Sequence, residues 1–232
     1  MNLNIAGNVQ FELGNINFNN GTLTLQQTVS ADNGSIRVMN GELILQDGLS
    51  FSNGNLYLEN SVFKPKGSVL LADSWVGLNN STTELQGDTT LSRNGVVYFN
   101  VTDNRTSLDL NGNALTLNVN NMSIDGALSI GTGESLSSGS SNLYLNDNLT
   151  IGNGGTLSSD NGSVTISSGL ALNNGGTLSS GIGQVQIGGA ITLDGELRQG
   201  SGILNLIGGG TVGSTGRLDV SNSELKLGSA LS

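Results

Sequence analysis

The sequence predicts an all-β fold: a right-handed parallel β-helix, or β-solenoid, with three short strands per turn and about eleven turns. Three observations carry this expectation. Apolar residues come as i, i+2 pairs such as Leu23/Leu25, Val164/Ile166 and Leu170/Leu172, the period of a strand rather than of a helix. The pairs recur at a stride close to 20 residues. Between them sit glycine, asparagine and serine, the residues that turn a chain most easily.

Taken in order, the inward pairs fall on three sides of a coil. On the first side Ile16, Ile36, Leu56 and Val76 lie 20 apart, with Phe18, Val38, Leu58 and Leu78 in step. The second side holds Leu3, Leu23, Leu43 and Phe63, and the third Val9, Val29, Leu49 and Val69. The first series continues through Val97, Met122, Leu143, Val164, Val185, Leu204 and Leu225, with strides of 21, 25, 21, 21, 21, 19 and 21. Leu136, Leu157, Leu178, Leu197 and Leu218 keep a companion rhythm. A repeat this regular cannot bury its own apolar face and must stack on the next. The partner of each strand then arrives one full turn later, in parallel. At the usual strand spacing the coil would be roughly 50 Å long. Right-handedness follows by extension of the crossover rule. A left-handed hexapeptide coil would want strides in multiples of six.

The corners have their own repeats. Gly14, Gly34, Gly54, Gly95, Gly162, Gly183 and Gly202 precede the first-side pairs, four of them within Asn-Gly dipeptides, a turn signal that tolerates positive φ. Asn20, Asn40, Asn60 and Asn80 follow that side at an interval of 20. Stacked one above another, their amides would form a hydrogen-bonded ladder along the axis. That role outweighs glycosylation, although Asn20-Gly-Thr, Asn100-Val-Thr and Asn148-Leu-Thr match the acceptor pattern.

Two places break the rhythm. Pro65 takes the inward position of Ile5, Leu25 and Leu45, although proline has no N–H for a central ladder. The stride of 25 before Met122 hides an insertion, placed around Val101 to Ser107. Between the breaks lie Lys64, Lys66, Trp75, Arg93 and Arg105, half of the 8 basic residues and the only tryptophan. Insertions in repeat proteins often carry function, so these five residues form a candidate ligand-contact patch. The plainer reading is a tryptophan at the edge of the core beside solvated charges.

Composition narrows the function classes. Hydrophobic residues make up 35%, against roughly 30% expected from three inward pairs per turn, so little apolar surface is left over. One continuous solenoid accounts for residues 1–232, a single domain expected to be a fragment of a longer repetitive protein. The chain has no cysteine and no histidine, which removes thiolate and histidine metal sites and any histidine-based nucleophile activation. A net charge of −10 with only 8 basic residues opposes nucleic acid as a partner. No stretch has the length of a transmembrane helix, so direct membrane insertion is not expected, and the opening residues carry no signal-peptide pattern. Paired carboxylates for glycoside chemistry reduce to Glu12 over Asp32 and Asp125 near Asp147, neither with a basic neighbour, and Asp194 and Glu196 flank a corner glycine. No enzyme and no cofactor is expected. Neither is ice binding, because Thr22 and Thr24 give way one turn later to Glu42 and Ile44.

Segments such as Gly154-Gly155-Thr156-Leu157-Ser158-Ser159 and Leu170-Ala171-Leu172-Asn173-Asn174-Gly175-Gly176-Thr177-Leu178 resemble the β-solenoid repeats of large bacterial surface adhesins, the filamentous-haemagglutinin-like proteins and autotransporter passengers. The resemblance spans nearly the whole chain. It implies export, a secreted or cell-surface location with the export signal outside this fragment, and a stalk serving cell adhesion or biofilm contact. Partners would be glycans or proteins of a host or neighbouring cell surface. Asn-Pro-Asn motifs of a secretion domain are absent, Pro65 being the single proline. Two alternatives stand beside this: a filament subunit that self-associates end to end, and a polysaccharide-degrading β-helix enzyme.

Overall fold

Alternating apolar residues broken by turn formers give strand after strand and no helix among the described residues. The computed structural model describes the chain except residues 1, 8, 12, 13, 73, 74, 80, 85, 87, 88, 95–97, 101–106, 110–113, 119, 120, 125 and 126. The described residues divide into two units, Met1–Asn121 and Met122–Ser232. Every pairing between the described strands is parallel, and the stacked sheets make a β-solenoid of about 9 turns, near the eleven expected.

In the first unit the columns form as the 20-residue stride predicts. Ile16, Ile36, Leu56 and Val76 are consecutive register partners. So are Leu3, Leu23, Leu43 and Phe63, and Val9, Val29, Leu49 and Val69. Ile36, Leu43, Leu49 and Leu56 are at most 1% exposed, so these columns are the dry interior. One correction concerns the next turn: the partner of Val76 is Phe99 rather than Val97. A shift of two residues keeps the same face, so the hydrophobic pattern cannot separate the two choices. Val97 itself lies outside the described residues. The expected insertion at Val101 to Ser107 also lies there, apart from Ser107. Its flanks are visible: strands end at Asn100 and resume at Ser107, whereas one turn earlier they end at Asn79 and resume at Thr82.

The corner between the first and second sides is not a break in the sheet. Gly14–Leu25 and Gly34–Leu45 are continuous strands of 12 residues that bend through it. Asn20, Asn40 and Asn60 make the bend at φ 59, 52 and 49°, in the left-handed region where asparagine is the best-suited residue after glycine. The amide ladder forms, but with an offset. Asn60 Nδ2 donates to Asn40 Oδ1 at 3.2 Å, while Asn40 Nδ2 donates to Asn19 Oδ1 at 3.2 Å. Asn80 lies outside the described residues. Directly after these asparagines come Gly21, Gly41, Ser61 and Ser81. The Ser61 hydroxyl donates to the Glu59 carbonyl (2.7 Å) and accepts the Gly41 amide (3.2 Å), and the Ser81 hydroxyl accepts the Ser61 amide (3.2 Å). Buried serines thus take over the corner where the glycines stop.

At the opposite corner the Asn-Gly pairs divide their labour. Asn33 and Asn53 hold the positive φ, 55 and 52°. The glycine is required for closeness: a Cβ on Gly54 would sit 2.5 Å from the Gly34 carbonyl oxygen and 2.7 Å from the Phe51 ring. Pro65 is buried at its inward position. The strand Val62–Lys64 stops just before it, and its carbonyl still accepts the Gln86 amide at 3.0 Å. Proline here keeps the acceptor half of the ladder and forfeits the donor half.

The second unit has three separate sides. Leu143, Val164, Val185, Leu204 and Leu225 form one column. Leu128, Leu149, Leu170 and Ile191 form another. Leu136, Leu157, Leu178, Leu197 and Leu218 form the third. Next to this last column runs a polar one, Ser159, Ser180 and Gln199, all buried. Ser159 donates to the Gly162 carbonyl at 2.6 Å, and the Gln199 amide donates to the Gly181 and Gly183 carbonyls at 3.1 and 2.9 Å. Ser180 Oγ and Gln199 Oε1 have no hydrogen-bond partner among the described residues.

Candidate functional site

Because inward positions are filled mostly by apolar side chains, chemistry is sought at the outward positions between them. On the second side of the first unit, alternation turns Thr22, Glu42 and Val62 outward in one register column, and Thr24, Ile44, Lys64 and Glu84 in the next. Lys64 reaches across: its ammonium lies 3.1 Å from Glu42 and 3.6 Å from Glu84. The hydrogen bond to Glu42 raises its pKa above the ordinary lysine value, with partial burial opposing and the two carboxylates' charges adding. Thr22 Oγ1 completes the group by donating to Glu42 at 3.2 Å. Lys64 is therefore engaged by its own turns.

The other basic residues of the candidate patch lie elsewhere. Lys66, just past Pro65, is exposed and continues a corner column of Gln26, Gln46 and Gln86, with which it lines a polar depression of about 380 Å³. Trp75 opens the first-side strand Trp75–Asn79, and Arg93 lies in the third-side strand Thr89–Asn94. Arg105 lies outside the described residues. Lys64 and Lys66 are neighbours in the chain, while Trp75 and Arg93 fall on two further sides of the coil.

What Trp75 does join is a column of the first side. Asn15, Ser35, Asn55, Trp75 and Tyr98 are successive register partners, and beside them run Asn17, Arg37, Tyr57, Gly77 and Asn100. The only tryptophan and two of the three tyrosines of the chain thus fall in two adjacent register columns of one side. Ser35 is short and its neighbours are long. The result is a shallow open depression of about 420 Å³, lined by Asn15, Asn17, Ser35, Arg37, Asn55 and Tyr57. Arg37 is held in place from two directions. Its guanidinium sits 5.1 Å from the Tyr57 ring centroid, a cation–π distance, and 3.5 Å from the Glu59 carboxylate. The Tyr57 hydroxyl donates to the same carboxylate at 3.5 Å. No carboxylate lines the depression itself.

Sequence reasoning placed Trp75 in a patch with basic residues close to it in the chain. The column was legible from the same stride: residues 15, 35, 55 and 75 are 20 apart, as their inward neighbours are. The signal lay in the outward positions, which carry no hydrophobic pattern to draw attention.

In the second unit one of the two corner acids, Glu196, is also engaged. Glu196 lies 2.7 Å from Arg198 Nε and 3.4 Å from Arg217 Nε. Among the described residues, no group of three or more aspartates or glutamates is arranged to hold a metal ion, and no helix is long and apolar enough to cross a membrane. No family model matches the chain, and neither a curated protein nor a solved structure matches it. Fold and surface define the class: a parallel β-solenoid with a mostly apolar interior.

Proposed function

We propose that this chain is a non-enzymatic, extracellular segment of a bacterial adhesin, a stalk that holds binding surfaces away from the cell. The observation that supports it most is the register itself: residues one turn apart stack in dry columns through turn after turn. Such a coil gains length by repetition while each turn contacts only its neighbours, a design suited to projection. The described acids beside basic groups also serve the scaffold: Glu42 and Glu84 clamp Lys64, Glu59 holds Arg37, and Glu196 binds Arg198 and Arg217. The repeats' resemblance to adhesin solenoids points the same way.

The test is accessibility on living cells. Antibody raised against the purified chain should label intact cells of the producing organism, and externally added protease should remove the label. Labelling only after permeabilisation ends the reading.

A further inference from the structure

We propose that the first-side depression around Ser35 binds an uncharged oligosaccharide. This deepens the adhesin reading and rests on it, since it assigns a ligand class to one face of the stalk. The argument begins with what the lining offers. Asn15, Asn17 and Asn55 each present an amide with donors and an acceptor, and Ser35 adds a hydroxyl that does both. Vicinal sugar hydroxyls need that mixture, because each is itself donor and acceptor. Tyr57 adds an aromatic surface of the kind on which the C–H face of a pyranose packs, and Trp75 and Tyr98 continue the neighbouring column one and two turns on.

Charge selects among saccharides. Arg37 is the one ionic group lining the depression, and Glu59 neutralises it at 3.5 Å. An acidic sugar would find no uncompensated cation, and the net charge of −10 would repel it. Geometry selects against a peptide. An extended peptide binds a sheet by pairing with free backbone groups at an edge. The depression lies on the face of the sheet, where the strands Gly14–Leu25, Gly34–Leu45 and Asn55–Glu59 already pair with one another. The adjacent turns are one strand spacing apart, about 4.8 Å, a distance comparable to one pyranose unit, so successive sugars can meet successive turns.

The experiment is an amide NMR titration of the full chain, labelled with nitrogen-15. The probes are cellohexaose, mannohexaose and chitohexaose as neutral oligosaccharides, hexamers of galacturonate and mannuronate as acidic ones, and an extended hexapeptide. The expected result is that at least one neutral probe shifts the amides of residues 15–17, 35–37 and 55–57. Tyr57→Ala should weaken that probe about tenfold, the loss of one stacking contact. Ser35→Gln, an outward change that fills the depression without touching the core, should abolish the shifts, and Lys226→Ala should leave them unchanged. Silence from all neutral probes, a response to acidic probes or peptide alone, or full binding by a folded Ser35→Gln protein would overturn the proposal. Cell-surface labelling decides the adhesin reading separately: surface exposure without sugar binding defeats only this site, and binding by an intracellular chain defeats only the stalk.

Discussion

Ser180 and Gln199 show how much a single buried atom matters in a narrow coil. Both belong to the buried polar column beside Leu178 and Leu197, and each leaves one oxygen without a partner among the described residues. A buried hydroxyl with no hydrogen bond costs about 1–3 kcal/mol. Ser180→Ala removes that oxygen at the expense of almost no volume, so it is expected to raise stability by up to about 1 kcal/mol. Urea unfolding followed by circular dichroism measures this, and a fall in the midpoint would mean that the hydroxyl has a stabilising role. Lys64 carries the opposite lesson. Its pKa is raised in the fold by Glu42, so its contribution is complete below the unfolded lysine value and disappears as pH rises through the folded one. Partly exposed pairs contribute below about 1 kcal/mol. The difference in melting temperature between the wild type and Lys64→Met is therefore expected to be small near neutrality and to vanish in strongly alkaline solution. A difference that grew with alkalinity would contradict the assignment.

Most strands here are only a few residues long, and their worth comes from the turn above and the turn below. Pro65 is the clearest test, because it sits inside this arrangement with half of its hydrogen bonding missing. The surrounding turns supply Leu25 and Leu45 at the same position, and the Pro65 carbonyl continues the ladder to Gln86. Pro65→Leu restores both the donor and the aliphatic side chain, and is expected to stabilise the first unit by about 1 kcal/mol. The outcome can be read as a higher melting temperature. A lower one would mean that the local backbone depends on the proline ring. The same element shows why corner chemistry resists prediction. Asn20, Asn40 and Asn60 were legible as turn formers from their interval, yet the Asn40 amide pairs with Asn19 rather than Asn20. Which of two adjacent side chains meets the ladder depends on the local bend, and the interval does not contain that.

Within each unit a turn touches only the turns beside it, which makes stability additive along the coil rather than global. Leu178→Ala empties part of a fully buried column and is expected to cost about 2–5 kcal/mol. Hydrogen exchange should show that loss locally. Amides of the Leu157 and Leu197 turns should exchange faster, while Gly34–Leu45 in the other unit should keep its protection. Uniform acceleration across the chain would argue for one cooperative block. The surface shows the same modularity, for the Ser35 depression uses residues from three successive turns and none from any other side.

The apolar stride was enough to read off the strands, the parallel stacking, the columns through Val76 and the rhythm of the second unit. A strict apolar stride admits one register when a two-sided strand must keep its greasy face inside. Tertiary structure decided what the stride leaves degenerate. It chose Phe99 over Val97, for two positions on the same face satisfy the pattern equally. It also gave Lys64 to Glu42 and Glu84 and put Trp75 in line with Asn55 and Tyr98. Outward side chains obey no burial rule, so their neighbours become known only once the turns are laid on one another.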